Sequence, residues 1–342
     1  MTDDAHDAIR AAAQALKDGA LVALPTETVY GLGADATNDK AVQKIFTAKG
    51  RPADHPLIVH VAKGADLKRW VVKMPEAATQ LMEAFWPGPL TLILKKSRHI
   101  PDLVTGNQDS VGLRCPSHPV AQALLREFAL IGSGLIAAPS ANKFGQVSPT
   151  TAEHVKKEFG AAVGKTITLI DGGPCEVGIE STILDLSSGK PVLLRPGAIT
   201  PAQIAAVIGS APLTRDQVET APRASGTLAS HYAPRTVLRL VEQRNLKSQA
   251  DALLNAGKRV AVLAFATQAD SNISPPGVGV RAARRLVWIT AQGGVEDYAR
   301  DLYANLRTLD AAGAAEILVE MPPKGPAWEA VRDRLSRAAT RE

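Results

Sequence analysis

Cysteine is nearly missing: Cys115 and Cys175 are all that 342 residues contain. Two are too few for a disulfide framework, and they lack the paired spacing of a zinc site, so both are read as buried thiols. Aromatic residues make up only 4%, which leaves little for the stacking platforms that single-strand nucleic-acid binders use. No apolar run approaches the roughly 20 residues needed to cross a bilayer. The N-terminus, Met1-Thr2-Asp3-Asp4, is acidic where a signal peptide is basic and then apolar. A cytoplasmic protein with no membrane contact is the expectation. There is also no His/Glu metal motif and no Cys-His or Ser-His-Asp spacing that local sequence can support, so neither a bound metal nor a covalent nucleophile is expected.

What is there is ordinary globular material, 45% hydrophobic and 21% charged. The formal net charge of +5 tolerates phosphate ligands without demanding nucleic acid. At this length one core usually stops growing, so two domains are expected: 1–208, a linker at 209–234 where the pattern dissolves into Pro, Ser, Thr, Gly and Arg, and 235–342.

Helical periodicity places helices near 5–18, at the segment ending in Lys49-Gly50, from Pro75, and over 118–128, 151–159 and the stretch opened by Thr200-Pro201. Short strands are expected at 21–24, 57–62, 90–94, 110–114, 167–170, 181–186 and 192–195. Beyond the linker, strands at 236–241, 259–265, 285–289 and 315–320 alternate with helices at 246–256, 295–311 and 327–338. That order argues a small α/β domain with a mostly parallel sheet. None of its strands is followed by a glycine-rich phosphate loop, so it is not read as a second nucleotide site.

Chemistry concentrates in the first domain. Lys49-Gly50-Arg51-Pro52 forms a basic elbow: a glycine flanked by two cations ends a helix and a proline prevents its continuation. By itself the elbow complements a helix C-terminal dipole as readily as it binds an anion. Pro25-Thr26-Glu27-Thr28-Val29-Tyr30-Gly31-Leu32-Gly33 interrupts the apolar pattern just past a strand end, either as a hydroxyl-satisfied turn or as a ligand loop. In Ser110-Val111-Gly112-Leu113-Arg114, Ser110, Gly112 and Arg114 share one face, where Arg114 is an edge residue or the clamp of a carboxylate. Ser140-Ala141-Asn142 and Ser148 follow a run of small residues that leaves room against backbone. With Thr28, His60, Ser181 and Arg195, the candidate set is rich in cations and hydroxyls, which suits a polyanion reacting by positioning and charge stabilisation, as in transfer at phosphorus.

Several motifs in order carry a resemblance. Pro25 to Leu32, Lys49-Gly50-Arg51-Pro52, Pro56-Leu57-Ile58-Val59-His60, Phe85-Trp86-Pro87-Gly88-Pro89-Leu90-Thr91, Ala138-Pro139-Ser140-Ala141-Asn142, Gly178-Ile179-Glu180-Ser181-Thr182, Leu194-Arg195-Pro196-Gly197 and His231-Tyr232-Ala233-Pro234 are similar to the YrdC-type threonylcarbamoyl-AMP synthases in their two-domain form. The resemblance implies an α/β fold: a YrdC-like twisted mixed sheet with helices around a basic cavity, plus a smaller Rossmann-like domain. It implies synthesis of threonylcarbamoyl-AMP from L-threonine, bicarbonate and ATP, with magnesium carried by the ATP. The product serves threonylcarbamoyladenosine formation in tRNA by downstream threonylcarbamoyltransferase proteins, with at most a weak RNA contact.

Carried over residue by residue, the resemblance implies that Lys49, Arg51, His55, Ser110, Ser140, Asn142, Ser148, Arg195 and Tyr232 contact ATP. Lys49 and Arg51 are the catalytic pair, and Thr28, His60, Arg114, Ala138 and Ser181 form the threonine pocket. Two stretches depart from the family pattern. Phe144 replaces a small polar residue, and Ala224-Ser225-Gly226-Thr227-Leu228-Ala229-Ser230 replaces the usual linker motif. The rivals are an RNA-binding module without catalysis and carbamoyl transfer to another acceptor.

Overall fold

The computed structural model describes residues 3–218, 220–265 and 285–340, which divide into two units. Unit 1 comprises Met1–Phe144 and Ser148–Thr227; unit 2 comprises Gly145–Val147 and Leu228–Glu342. Unit 1 thus extends through much of the Pro- and Ser-rich stretch that the sequence marks as a linker.

Unit 1 begins with α1 (Asp3–Lys17), which buries Ile9, Ala12, Ala13 and Leu16, the residues whose spacing predicts it. Then come β1 (Leu21–Leu24), β2 (Gly31–Asp35), α2 (Asp39–Lys49), β3 (Ile58–His60), α3 (Glu76–Phe85), β4 (Leu90–Lys95), α4 (Asp102–Thr105), β5 (Ser110–Arg114) and α5 (Pro119–Ile131). The unit continues with β6 (Ile136–Ala137), α6 (Ala152–Phe159), β7 (Ile167–Leu169), β8 (Thr182–Asp185), β9 (Val192–Arg195), α7 (Pro201–Ile208) and β10 (Leu213–Thr214). The strands form one mixed sheet in the order β10-β9-β8-β4-β5-β3-β6-β2-β1-β7. Leu57, Val59, Leu92, Val111, Leu113 and Leu184 fill the main core on one side of it.

β2 is where the structure departs from the sequence reading. Gly31 and Gly33 read as part of a loop, yet they lie in a strand paired antiparallel to β1, with Val22 opposite Gly33 and Leu24 opposite Gly31. Glycine is there for close approach. A Cβ on Gly33 would stand 2.7 Å from Ile136 Cγ2 and 2.9 Å from Leu24 Cδ2. Gly33→Ala is therefore expected to cost about 1–3 kcal/mol of stability through overpacking, read as a lowered thermal midpoint; an unchanged midpoint would mean that these two side chains yield freely.

In unit 2, β11 (Val237–Val241), α8 (Gln243–Asn255), β12 (Val260–Phe265), β13 (Leu286–Ala291), α9 (Val295–Asp310), β14 (Glu316–Glu320) and α10 (Glu329–Ala339) alternate as their periodicity predicts. The described strands are all parallel, in the order β11-β14-β12-β13. Val241, Leu246, Ala250, Val260, Val262 and Leu318 form one of its cores. Among the described residues no helix is long and apolar enough to cross a membrane.

Candidate active site

The basic elbow is held by the Ser-x-Asn loop. Asn38 caps the N-terminus of α2, and Gly50 ends it in the left-handed conformation, φ 63°. Carbonyls left over at the helix end are taken up by the loop: Lys143 Nζ donates to Ala48 O at 2.6 Å and Phe144 N to Lys49 O at 2.9 Å. Lys49 does not turn back on its own helix. Its Nζ donates to the carbonyls of Ser140 and Asn142, so the two motifs interlock. Burial, and then the neighbouring Arg51 guanidinium, hold the Lys49 ammonium well below the usual lysine range. An arriving anion would reverse that shift.

Arg51 Nη2 donates to Pro56 O at 3.0 Å and to Ser225 Oγ at 3.3 Å, and its guanidinium lies 5.5 Å from the Phe144 ring centroid. His55 meets the same ring edge-on at 5.2 Å. Burial and then Arg51 push the His55 pKa down. Phe144, the departure from the family pattern, thus walls this basic corner.

His60, Ser110, Arg114 and Arg195 lie on strands on the face of the sheet opposite the main core. Parallel pairing of β3 with β5 sets His60 beside Arg114, and antiparallel pairing of β4 with β5 sets Thr91 on the other side of Arg114. Thr91 Oγ1 and Ser181 Oγ are 2.8 Å apart. Arg195 donates to Ser181 through Nε to the carbonyl, 3.1 Å, and Nη2 to the hydroxyl, 3.2 Å. Its Nη1 donates to Ser225 O at 2.9 Å, while Ser225 Oγ donates to Pro56 O at 2.7 Å. The divergent stretch around Ser225 is therefore part of unit 1's polar site. Ser110, Ile58, Ile93, Gly112 and Ile183 line a small cleft together with Arg223, Ala224 and Ser225. A larger hollow between residues 61–68 and Met74, Met82 and Trp86 contains none of the candidates.

Deepest lies a buried ion pair. Arg114 Nη2 stands 2.8 Å from Glu27 Oε1, with the two side chains 5% and 3% exposed. The approach is not aligned as a hydrogen bond: both Glu27 oxygens, and Nε and Nη2 of Arg114, have no hydrogen-bond partner among the described residues. Thr28 Oγ1 sits 2.9 Å from Thr26 Oγ1 in the same loop, and Ala138 N donates to Ile58 O at 2.9 Å. Burial, followed by the Arg114 charge, pushes the His60 pKa down to about 3. The unfolded chain, with His60 near 6.5, then takes up a proton that the folded state refuses. Stability is expected to fall as pH drops below about 6.5 and to keep falling until about 3. Comparing the pH dependence of urea unfolding for His60→Gln and the unsubstituted protein isolates this contribution; parallel curves would contradict a neutral buried imidazole.

Residues 14–197, more than half the chain, match the family model described as telomere recombination, which unites Sua5, YciO and YrdC. Residues 199–340 match the one described as threonylcarbamoyl-AMP synthase, C-terminal domain. The chain belongs to the threonylcarbamoyl-AMP synthase family. It is 39% identical to the threonylcarbamoyl-AMP synthase of Pyrococcus abyssi over 340 residues, covering 97% of this chain and 94% of that one. It is also 41% identical to that of Bacillus subtilis over 338 residues, covering 97% and 92%. The crystal structure of P. abyssi Sua5 complexed with L-threonine matches with a TM-score of 0.85 at 38% identity, covering 97% of this chain and 94% of that one.

For a threonylcarbamoyl-AMP synthase, the sequence reading omitted two buried carboxylates. Glu27 reads as loop polarity along the chain, and only the fold brings Arg114 to it. Glu180 accepts a 2.6 Å hydrogen bond from Ser148 Oγ and was passed over between two recognised motif positions. Tyr232 belongs to unit 2, buried at 1% with φ 61°, its ring 5.8 Å from that of Tyr303 and 5.2 Å from the Arg334 guanidinium. Cys115 and Cys175 are both buried free thiols, with pKa values pushed up to about 11 and 12, chiefly by burial. Neither is ionised near neutrality, so neither supplies a thiolate nucleophile. Among the described residues no cluster of three His, Cys, Asp or Glu side chains could hold a metal.

Proposed function

We propose that unit 1 carries out the family's reaction: the deprotonated amine of L-threonine takes up bicarbonate with loss of water, and an oxygen of the resulting carbamate attacks the α-phosphorus of ATP, giving threonylcarbamoyl-AMP and releasing pyrophosphate. The observation that carries this reading is the interlock of Lys49 with the Ser140 and Asn142 carbonyls, which fixes a buried amine on the basic elbow, where an arriving polyphosphate would restore its charge. Lys49, Arg51, Ser140, Asn142, Ser148, His55, Ser110 and Arg195 hold ATP. Magnesium carried in by the ATP would supply further charge neutralisation at the phosphates. Lys49 and Arg51 neutralise charge that grows on the departing pyrophosphate. Thr28, His60, Arg114, Ala138 and Ser181 hold threonine, whose hydroxyl a buried polar partner can select. Because the carbamate is itself the nucleophile, no protein nucleophile is required.

The product is a mixed anhydride, open to hydrolysis. Ser225, which bonds both Arg51 and Arg195, covers that site. Ser225→Ala is expected to lower the yield of threonylcarbamoyl-AMP severalfold with only a modest drop in thermal midpoint, since each of the two hydrogen bonds its hydroxyl makes, from Arg51 and to Pro56 O, contributes about 1 kcal/mol. Undiminished yield would deny Ser225 a protective role. In the cytoplasm the product passes to tRNA threonylcarbamoyltransferase proteins, for modification beside the anticodon.

The test is ATP-dependent pyrophosphate release from the purified protein. It should require both threonine and bicarbonate. Release that needs bicarbonate but not threonine would point to another acceptor, and RNA binding without release would point to a binding module.

A further inference from the structure

The Glu27–Arg114 pair leaves more unsatisfied than a structural ion pair should. Buried pairs hold only when additional hydrogen bonds complete them, and breaking that rule is expensive. Here both Glu27 oxygens and two Arg114 nitrogens have no hydrogen-bond partner among the described residues, at 3% and 5% exposure. The loop does not need the carboxylate for its own shape. Thr26 Oγ1 accepts from Thr28 N and Val29 N and donates to Val29 O, and the Glu27 carbonyl accepts from Val177 N at 2.7 Å. The turn is complete without the Glu27 side chain.

His60 and the two nearby cysteines add no charge to the pair. His60, across from Arg114 on the next strand, stays neutral at physiological pH, and the nearby Cys115 and Cys175 stay thiols. What remains is one anion and one cation, side by side, each with open hydrogen-bonding capacity. A lone carboxylate ligand would satisfy Arg114 and leave Glu27 unanswered. A zwitterion answers both, because its ammonium has three donors for the Glu27 oxygens and its carboxylate accepts from the guanidinium.

Resting on the threonine assignment above, we propose that Glu27 is the counter-ion of the substrate ammonium, so that Glu27 and Arg114 together read the zwitterion of an α-amino acid. The four charges cancel in the buried site, so the substrate enters without leaving a net charge in low dielectric. The site then selects an amino acid over the hydroxy acid of the same carbon skeleton before any chemistry occurs.

Calorimetry on the full-length protein with L-threonine and (3R)-hydroxybutyrate, which lacks only the amine, tests this. The unsubstituted protein should prefer threonine by at least about a hundredfold, the discrimination expected when a buried polar group loses its partner. Glu27→Gln keeps size and shape. It should weaken threonine at least tenfold while leaving hydroxybutyrate unchanged or tighter, and ATP binding unaffected. Equal weakening of both ligands would overturn the proposal, leaving Glu27 as a support for Arg114. Comparable affinity of the unsubstituted protein for both would overturn it without recourse to any variant. Should the protein bind ATP but neither threonine nor hydroxybutyrate, the threonine assignment itself fails, an outcome distinct from the other two.

Discussion

Replacing Lys49 by alanine is expected to slow pyrophosphate release by about a hundredfold, roughly 2.7 kcal/mol of transition-state stabilisation. The argument has two parts. Lys49 is 3% exposed, in a site where burial and Arg51 disfavour its ammonium, so its charge is fully expressed when a polyphosphate is present to restore it. Alanine also removes the donor that ties the Ser140 and Asn142 carbonyls to the helix end, loosening the loop on which the other phosphate contacts depend. Arg51→Ala should cost at least about tenfold, near 1.4 kcal/mol, because Arg51 adds its charge to the same elbow. Neither change should lower kcat/KM through unfolding, and thermal midpoints measured alongside the kinetics verify that. Unsubstituted rates in Lys49→Ala would remove the phosphate assignment.

Arg114→Ala should abolish threonine binding at accessible concentrations while changing ATP affinity little. It should also destabilise the protein by about 3–5 kcal/mol, because it leaves the Glu27 carboxylate buried without its cation. The two effects separate in a double variant. Glu27→Gln combined with Arg114→Ala removes the stranded charge, so stability should largely return while threonine binding does not. Chemical denaturation and calorimetry on the single and double variants give both readings. If threonine binding returned with stability, Arg114 would be a structural residue.

Much of this protein was legible along the chain because its signals are local. The caps of α2 and α7, the elbow at Lys49-Gly50-Arg51 and the alternation of Ser110, Gly112 and Arg114 to one face depend on neighbours a few residues away, and the fold keeps each. The alternating strands and helices of unit 2 are legible for the same reason. Conformational preference and hydrophobic period act over a turn or a pleat, so the sequence states them directly.

What lay beyond the sequence depends on contacts between distant positions. Gly33 reads as a turn until Ile136 and Leu24 are seen to leave no room for a Cβ. Ser225 reads as linker until it accepts from Arg51, 174 positions away, and from Arg195. Glu27 reads as a polar loop residue until the pairing of β3, β4 and β5 settles where Arg114 stands. The chain by itself determined which elements form and which polar residues are available. Tertiary structure alone decided which of those residues face one another out of water, because burial and ion pairing are properties of a site assembled across the chain, and a carboxylate has no partner until the fold supplies one.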